Sequence, residues 1–201
     1  KNNWWGGAAE SNAFGTHEFM DFAEQVGADP YVSVNVGSSN PTEMREWLEC
    51  MTSSGDDTLA QERRKNGRDA PFKVPVVGIG NEAWGCGGAM TPEYYANEYR
   101  RFTAFFHSSA ARIAVGPSSD DTNWTDVVMK NIGPGKMDGL SLHYYTLPTG
   151  DWSKKGASIN FDKQAWVDTF AQTLHMDDLI QKHSAIMDKY DPEKKVALYV
   201  D

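Results

Sequence analysis

The sequence predicts an α/β fold, part of a (β/α)8 barrel with about five strand-helix units along residues 1–201. Three observations lead there. Short β-branched runs alternate with longer segments of 3.6-residue apolar period, the pattern of parallel strands covered by helices. The helical segments carry start and stop signals at their ends. Polar side chains fall at or just past the C-terminal ends of several strands: Asn35, Asn81 with Glu82, Ser118 with Ser119, and His143 with Tyr145. A barrel gathers such groups from many strands, whereas an open sheet concentrates them at one switch point.

Each element has its own justification. In "FGTHEFMDFAEQVGA" the residues Phe19, Phe22, Ala23 and Val26 share a helical face, with Thr16 as N-cap and Gly27 as the stop. "YVSVNVG" reads as a short strand, and the next helix has Asn40 as N-cap, Pro41 at N1, Glu43 at N3 and an apolar face of Met44, Trp47, Leu48 and Met51. Residues 53–73 show no clear period and read as a polar, exposed insertion without chemistry. "KVPVVGIGN" is the next strand. Thr91 and Pro92 open a helix that places Tyr95, Tyr99, Phe102 and Phe106 on one face. "RIAVGPSS" and "DGLSLHYY" are two further strands, joined by a short helix near residues 122–132. Residues 161–190 form one long or broken helix before a last strand, "KKVALYVD". Five strands do not close a barrel of eight. Residues 1–201 are therefore read as one partial domain, interior to a barrel or completed by strands outside this sequence.

Composition narrows the chemistry. With 19 basic and 28 acidic residues the chain carries a net charge of −9, which repels phosphate backbones and anionic membranes and favours a neutral partner. No run approaches the roughly 18 apolar residues of a membrane span. Cys50 and Cys86 are too few for a disulfide framework and read as thiols, Cys86 as a small packing residue. The five histidines show no ligand spacing, so neither metal nor cofactor is expected. The opening "KNNWWGG" has no initiator Met and no apolar secretory segment, and reads as processed, trimmed or internal; the compartment stays open between cytoplasm and periplasm or exterior. Of Trp4 and Trp5, at least one is expected to pack in the core.

The stretch "VVGIGNEAWGCGG" concentrates the functional signal. Gly78 to Ala83 satisfies the dinucleotide pattern G-x-G-x-x-G/A, but its first glycine lies inside the strand, and Glu82 would put a negative charge where a pyrophosphate must approach. Glu82 could simply pair with a nearby Arg or Lys. Its placement at a strand end, beside an amide and under an aromatic-glycine loop, instead suits a carboxyl that burial keeps protonated near neutral pH. Glycoside hydrolysis uses such an acid together with a second carboxylate, about 5–5.5 Å away in retaining enzymes.

Four segments, "NAFGTHEFMDFAEQVGADPYVSVNVGS", "GIGNEAWGCGGAMTPEYYANEYRRF", "GLSLHYYT" and "VALYVD", together resemble the bacterial α-L-arabinofuranosidases of glycoside hydrolase family 51, retaining enzymes with a (β/α)8 catalytic barrel. The resemblance implies that Glu82 is the general acid/base and that Asn81 hydrogen-bonds the hydroxyl beside the anomeric carbon. It further implies that His143 and Tyr145 line the sugar subsite and support the nucleophile. Tyr145 is preferred to Tyr144 because it shares strand parity with His143. Trp84 either stacks on a sugar or packs the loop. The family's nucleophile is a Glu that would follow Asp201, and the first two strands, the last strand and an accessory β-sandwich are also missing from this sequence. The implied partner is an arabinose-containing oligo- or polysaccharide, with homo-oligomerisation open. Two alternatives stand beside this reading: a catalytically incompetent barrel fragment that binds sugar or complementary polypeptide, and a related barrel β-xylosidase or endoglucanase.

Overall fold

The computed structural model describes Asn2 and residues 7–201. Trp4 and Trp5 lie outside the described residues. Five strands, β1 (Tyr31–Ser33), β2 (Val76–Ile79), β3 (Ala111–Ala114), β4 (Gly139–Leu142) and β5 (Ala197–Val200), pair in sequence order into one sheet, every pair parallel. Helices α1 (Thr16–Val26), α2 (Pro41–Thr52), α3 (Thr58–Lys65), α4 (Pro92–Thr103), α5 (Thr122–Ile132) and α6 (Lys163–Tyr190) fill the connections. Parallel strands need such crossovers, and a strand order identical to the chain order is the arrangement of a barrel wall.

The caps follow the sequence in α2, where Asn40 accepts from Thr42 and Glu43 N–H, and in α4, where Thr91 accepts from Tyr94 N–H. Helix α1 differs. Its N-cap is Gly15, whose N–H donates to Glu18 Oε2 at 2.8 Å, because the Thr16 hydroxyl is taken up accepting the Trp47 indole N–H at 3.0 Å. Met20 and Ala23 are buried, while Phe22 and Val26 of the expected face stand 55% and 58% exposed.

Within residues 53–73 the structure places a helix, α3, capped by Asp57. Its buried face is Ala60 and Arg63, and the Arg63 guanidinium donates to the carbonyls of Cys50 and Asp69. A face made of one small residue and one cation carries no apolar period, which is why hydropathy missed it. Residues 163–190 form one continuous helix, buried only through Leu179, His183 and Met187 near its C-terminal end. Its first half exposes Trp166, Phe170 and Leu174.

The core lies between the sheet and α2, α4 and α5. Tyr99 and Phe102 are fully buried, and each such side chain contributes about 1.5–3 kcal/mol from the apolar area it withdraws from water. Tyr95 does more than fill space. Its ring stacks on Trp124 with centroids 5.7 Å apart, and its hydroxyl donates to Ile79 O at 2.7 Å and accepts from Val115 N–H at 2.6 Å. One α4 phenol thus ties the ends of β2 and β3, where the candidate site begins.

Candidate active site

The strand β2 ends at Ile79, and Glu82 lies three residues further on, in a tight loop rather than on the strand itself. Its φ of 45° is left-handed, a region that costs a non-glycine residue roughly 1 kcal/mol or more and persists only where the surroundings enforce it. Here they do. The Glu82 carbonyl accepts from Gly85 N–H at 2.8 Å and Gly87 N–H at 3.0 Å, so residues 83–88 coil back beneath it. Gly87 packs against Asn81 so closely that a Cβ there would sit 1.7 Å from the Asn81 carbonyl oxygen. Gly87 is therefore a condition for presenting Glu82 in this pose.

The Glu82 side chain is only 17% exposed, and both its oxygens have partners. Oε1 lies 3.4 Å from His143 Nδ1, and Oε2 accepts from the Cys86 thiol at 3.2 Å. Cys86 is exposed and touches the carboxylate, a correction to its reading as a packing residue. The hydrogen bond to Glu82, with some burial, pushes the thiol above its usual range.

His143 is buried just past β4, hydrogen-bonded through its backbone to Pro117 O and Ser119 N–H. Its Nε2 lies 3.6 Å from Asp201 Oδ2. The register explains this meeting: Leu142 pairs with Val200, so the next residues along, His143 and Asp201, stand side by side. Trp84 meets the His143 ring edge-on at 6.1 Å and donates from Nε1 to Gly116 O at 3.1 Å, which seats it in the loop floor. Asn81 is exposed and, with Asn35, Ser38 and Cys86, lines a cleft of about 700 Å3.

Tyr145 departs from the parity expectation. The strand ends at Leu142 with only an isolated bridge at His143, so period-two alternation does not extend to residue 145. Tyr145 is 59% exposed and meets Trp152 edge-on at 4.9 Å, while Tyr144 packs beneath α6 and donates to Gln172 O. The structure thus brings together Glu82, His143 and Trp84, and adds Cys86 and Asp201. The spacing Glu-x-x-x-Cys held the first of these additions in view, but nothing in one sequence marks a thiol as a carboxylate's partner.

A family profile described as "Alpha-L-arabinofuranosidase 1 domain" matches residues 1–165. This chain belongs to the α-L-arabinofuranosidases of glycoside hydrolase family 51. It is 50% identical, over its whole length and 39% of the relative's, to an intracellular exo-α-L-arabinofuranosidase of Bacteroides ovatus. The crystal structure of a family 51 arabinofuranosidase from Xanthomonas axonopodis pv. citri superposes with a TM-score of 0.91 at 55% identity, covering 98% of this chain and 40% of that one. The arabinose complex of the Thermotoga maritima α-L-arabinofuranosidase matches with a TM-score of 0.75 at 30% identity, over 95% of this chain and 38% of that one. The chain thus spans about two fifths of the length of these family 51 relatives, and its five parallel strands form part of a (β/α)8 barrel.

Proposed function

We propose that residues 1–201 are the portion of a family 51 catalytic barrel that carries the general acid/base of a retaining, exo-acting α-L-arabinofuranosidase. The observation that carries the reading is the placement of Glu82: a largely buried carboxyl past a C-terminal strand end, held in a left-handed turn, with His143 and Cys86 on its two oxygens. In this reading Glu82 protonates the departing glycosidic oxygen and then, as carboxylate, activates the water that releases the sugar. The attacking carboxylate is a Glu immediately after Asp201. Glu82 and Asp201 both approach His143, at 3.4 and 3.6 Å, which supports a reading in which the end of β5 supplies the second carboxylate that double displacement requires. Asn81, at the edge of the cleft beside Glu82, takes the hydroxyl next to the anomeric carbon. His143 lines the sugar site, with Trp84 as its floor, and the family resemblance adds Tyr145, which stands exposed beyond the end of β4. The substrate is a terminal α-L-arabinofuranosyl group on a neutral oligo- or polysaccharide, in keeping with the acidic chain. No helix among the described residues is long and apolar enough to cross a membrane.

The test uses the full-length enzyme with Glu82→Ala. Hydrolysis of alkyl arabinofuranosides, whose leaving groups need a proton, should fall by about 10²–10⁴-fold. Aryl substrates with stable phenolates should lose far less in the glycosylation step, and azide should restore turnover by attacking the glycosyl-enzyme without base assistance. Equal losses across leaving groups, with no azide rescue, would remove Glu82 from the acid/base role.

A further inference from the structure

His143 stands between two carboxylates from different strand ends, Glu82 Oε1 at 3.4 Å from Nδ1 and Asp201 Oδ2 at 3.6 Å from Nε2. A neutral imidazole has one N–H and one lone pair, so it cannot donate to both. We propose that Asp201 is a positioning residue that acts through His143: by accepting the Nε2 hydrogen it fixes the tautomer whose Nδ1 lone pair faces Glu82, ready to accept a hydrogen bond from the protonated carboxyl. The inference rests on Glu82 being the general acid.

The alternatives are physically distinct. With the proton on Nδ1, the Nε2 lone pair would point at the Asp201 carboxylate, and Nδ1–H would stabilise ionised Glu82, the wrong form for donating a proton. A doubly protonated ring would satisfy both carboxylates and also hold Glu82 ionised. Asp201 therefore selects which form of Glu82 the histidine supports. Both separations are charge-pair distances slightly longer than hydrogen bonds, and contacts of this kind shorten when substrate binds.

Asp201 is itself held in register. Its N–H donates to Leu142 O at 2.9 Å, continuing the β4–β5 ladder by one residue. The other groups in the neighbourhood are consistent with this assignment. Cys86 donates to the far oxygen of Glu82, and the Trp84 ring edge closes one side of His143. Tyr31 on β1 and Tyr199 on β5 meet edge-on at 6.2 Å, and the Tyr31 phenol is pushed up by burial first and by the Asp201 charge second, so it stays neutral. No cation among these residues competes for Asp201 or Glu82.

The experiment is Asp201→Asn in the full-length enzyme, with Glu82→Gln alongside. Asn replaces the carboxylate with a neutral amide whose NH2 can face Nε2, which removes the preference for the Nε2–H tautomer and lets Nδ1–H turn toward Glu82. The expected result is a basic limb of kcat/KM displaced downward by about one pH unit. On the alkaline side, alkyl arabinofuranosides should lose about tenfold to hundredfold in kcat/KM, with little loss for activated aryl substrates on the acid side. A merely structural role would lower the whole profile without moving the limb. An unmoved limb, or one displaced upward as the doubly protonated ring requires, overturns the proposal. A second measurement is independent of catalysis: 15N NMR of histidine-labelled enzyme should show His143 protonated at Nε2 in the wild type and at Nδ1 in Asp201→Asn. If Glu82→Gln keeps its basic limb, the acid/base reading fails, and the NMR result still decides whether Asp201 sets the tautomer. A wild-type signal from Nδ1–H or from the doubly protonated ring refutes it.

Discussion

Gly87→Ala isolates the loop geometry that presents Glu82. Gly87 has no left-handed backbone requirement, so alanine is not excluded by its φ. What excludes it is proximity. An ideal Cβ there lies 1.7 Å from Asn81 O and 2.9 Å from the carbonyl carbons of both Asn81 and Glu82, and since real Cβ atoms do not approach closer than 3.0 Å, the backbone must open by at least 1.3 Å. On its other side the loop packs closely on Gly37, where a Cβ would lie 2.5 Å from Gly87 O, so little room is left for it to retreat that way. The movement therefore falls on the Asn81–Glu82 peptide. A displacement of about 1 Å at a catalytic group costs on the order of 10²-fold, so, with Glu82 as the proposed acid/base, kcat/KM of the full-length enzyme on arabinofuranosides should drop by about that factor. The accompanying overpacking strain, about 1–3 kcal/mol, should leave the protein folded with a lowered Tm. Gly85→Ala is the internal control, since its nearest neighbour would be Glu82 O at 3.8 Å, an ordinary contact. Steady-state kinetics on both variants, with thermal unfolding, decide the matter. Full activity in Gly87→Ala, or an equal loss in Gly85→Ala, would refute the claim that close packing at residue 87 aims Glu82.

Two further outcomes test the frame around the site. Tyr95→Phe keeps the stack on Trp124 but strips Ile79 O and Val115 N–H of a buried partner, which should cost about 1–3 kcal/mol, measured as a lower denaturant midpoint; an unchanged midpoint would show that the phenol does not tie β2 to β3. His183 is buried between Thr125 Oγ1 at 2.8 Å and Ser119 O at 2.7 Å, and burial lowers its pKa from the usual 6.5. The folded state therefore favours neutral imidazole while the unfolded chain takes up the proton, so this contribution to stability is complete above about pH 6.5 and declines as pH falls below it. His183→Gln should show a smaller drop in Tm than the wild type between about pH 7.5 and 5.5, and equal drops would refute the assignment.

The fold was legible in the sequence wherever a single periodicity decided the structure. Helix α4 shows this best: its Thr-Pro start and the Tyr95, Tyr99 and Phe102 of its expected face needed no tertiary information, because capping and burial act within one element, while Phe106, the fourth residue expected on that face, lies past the helix end at Thr103. Legibility failed where two elements share a residue. Thr16 has the hydroxyl of an N-cap, but that hydroxyl serves Trp47 on α2, and the cap falls to Gly15. Arg63 is buried at a position where a charged residue predicts exposure, because two carbonyls from other segments receive it.

The candidate site divides along the same line. Glu82 announced itself because a carboxylate at the end of an apolar run has few structural reasons to be there. Tyr145 was assigned by a parity that holds only while a strand lasts, and β4 stops before reaching it. Cys86 and Asp201 acquire meaning only through contact, one by a loop that folds back over four residues, the other by the β4–β5 register. A register is a relation between two strands, so no inspection of either strand alone reveals it. For the same reason the surroundings of Glu82 depend on β2, β4 and β5 at once. A substitution at Asp201 is therefore expected to act on Glu82, 119 positions earlier in the sequence, through a single imidazole ring.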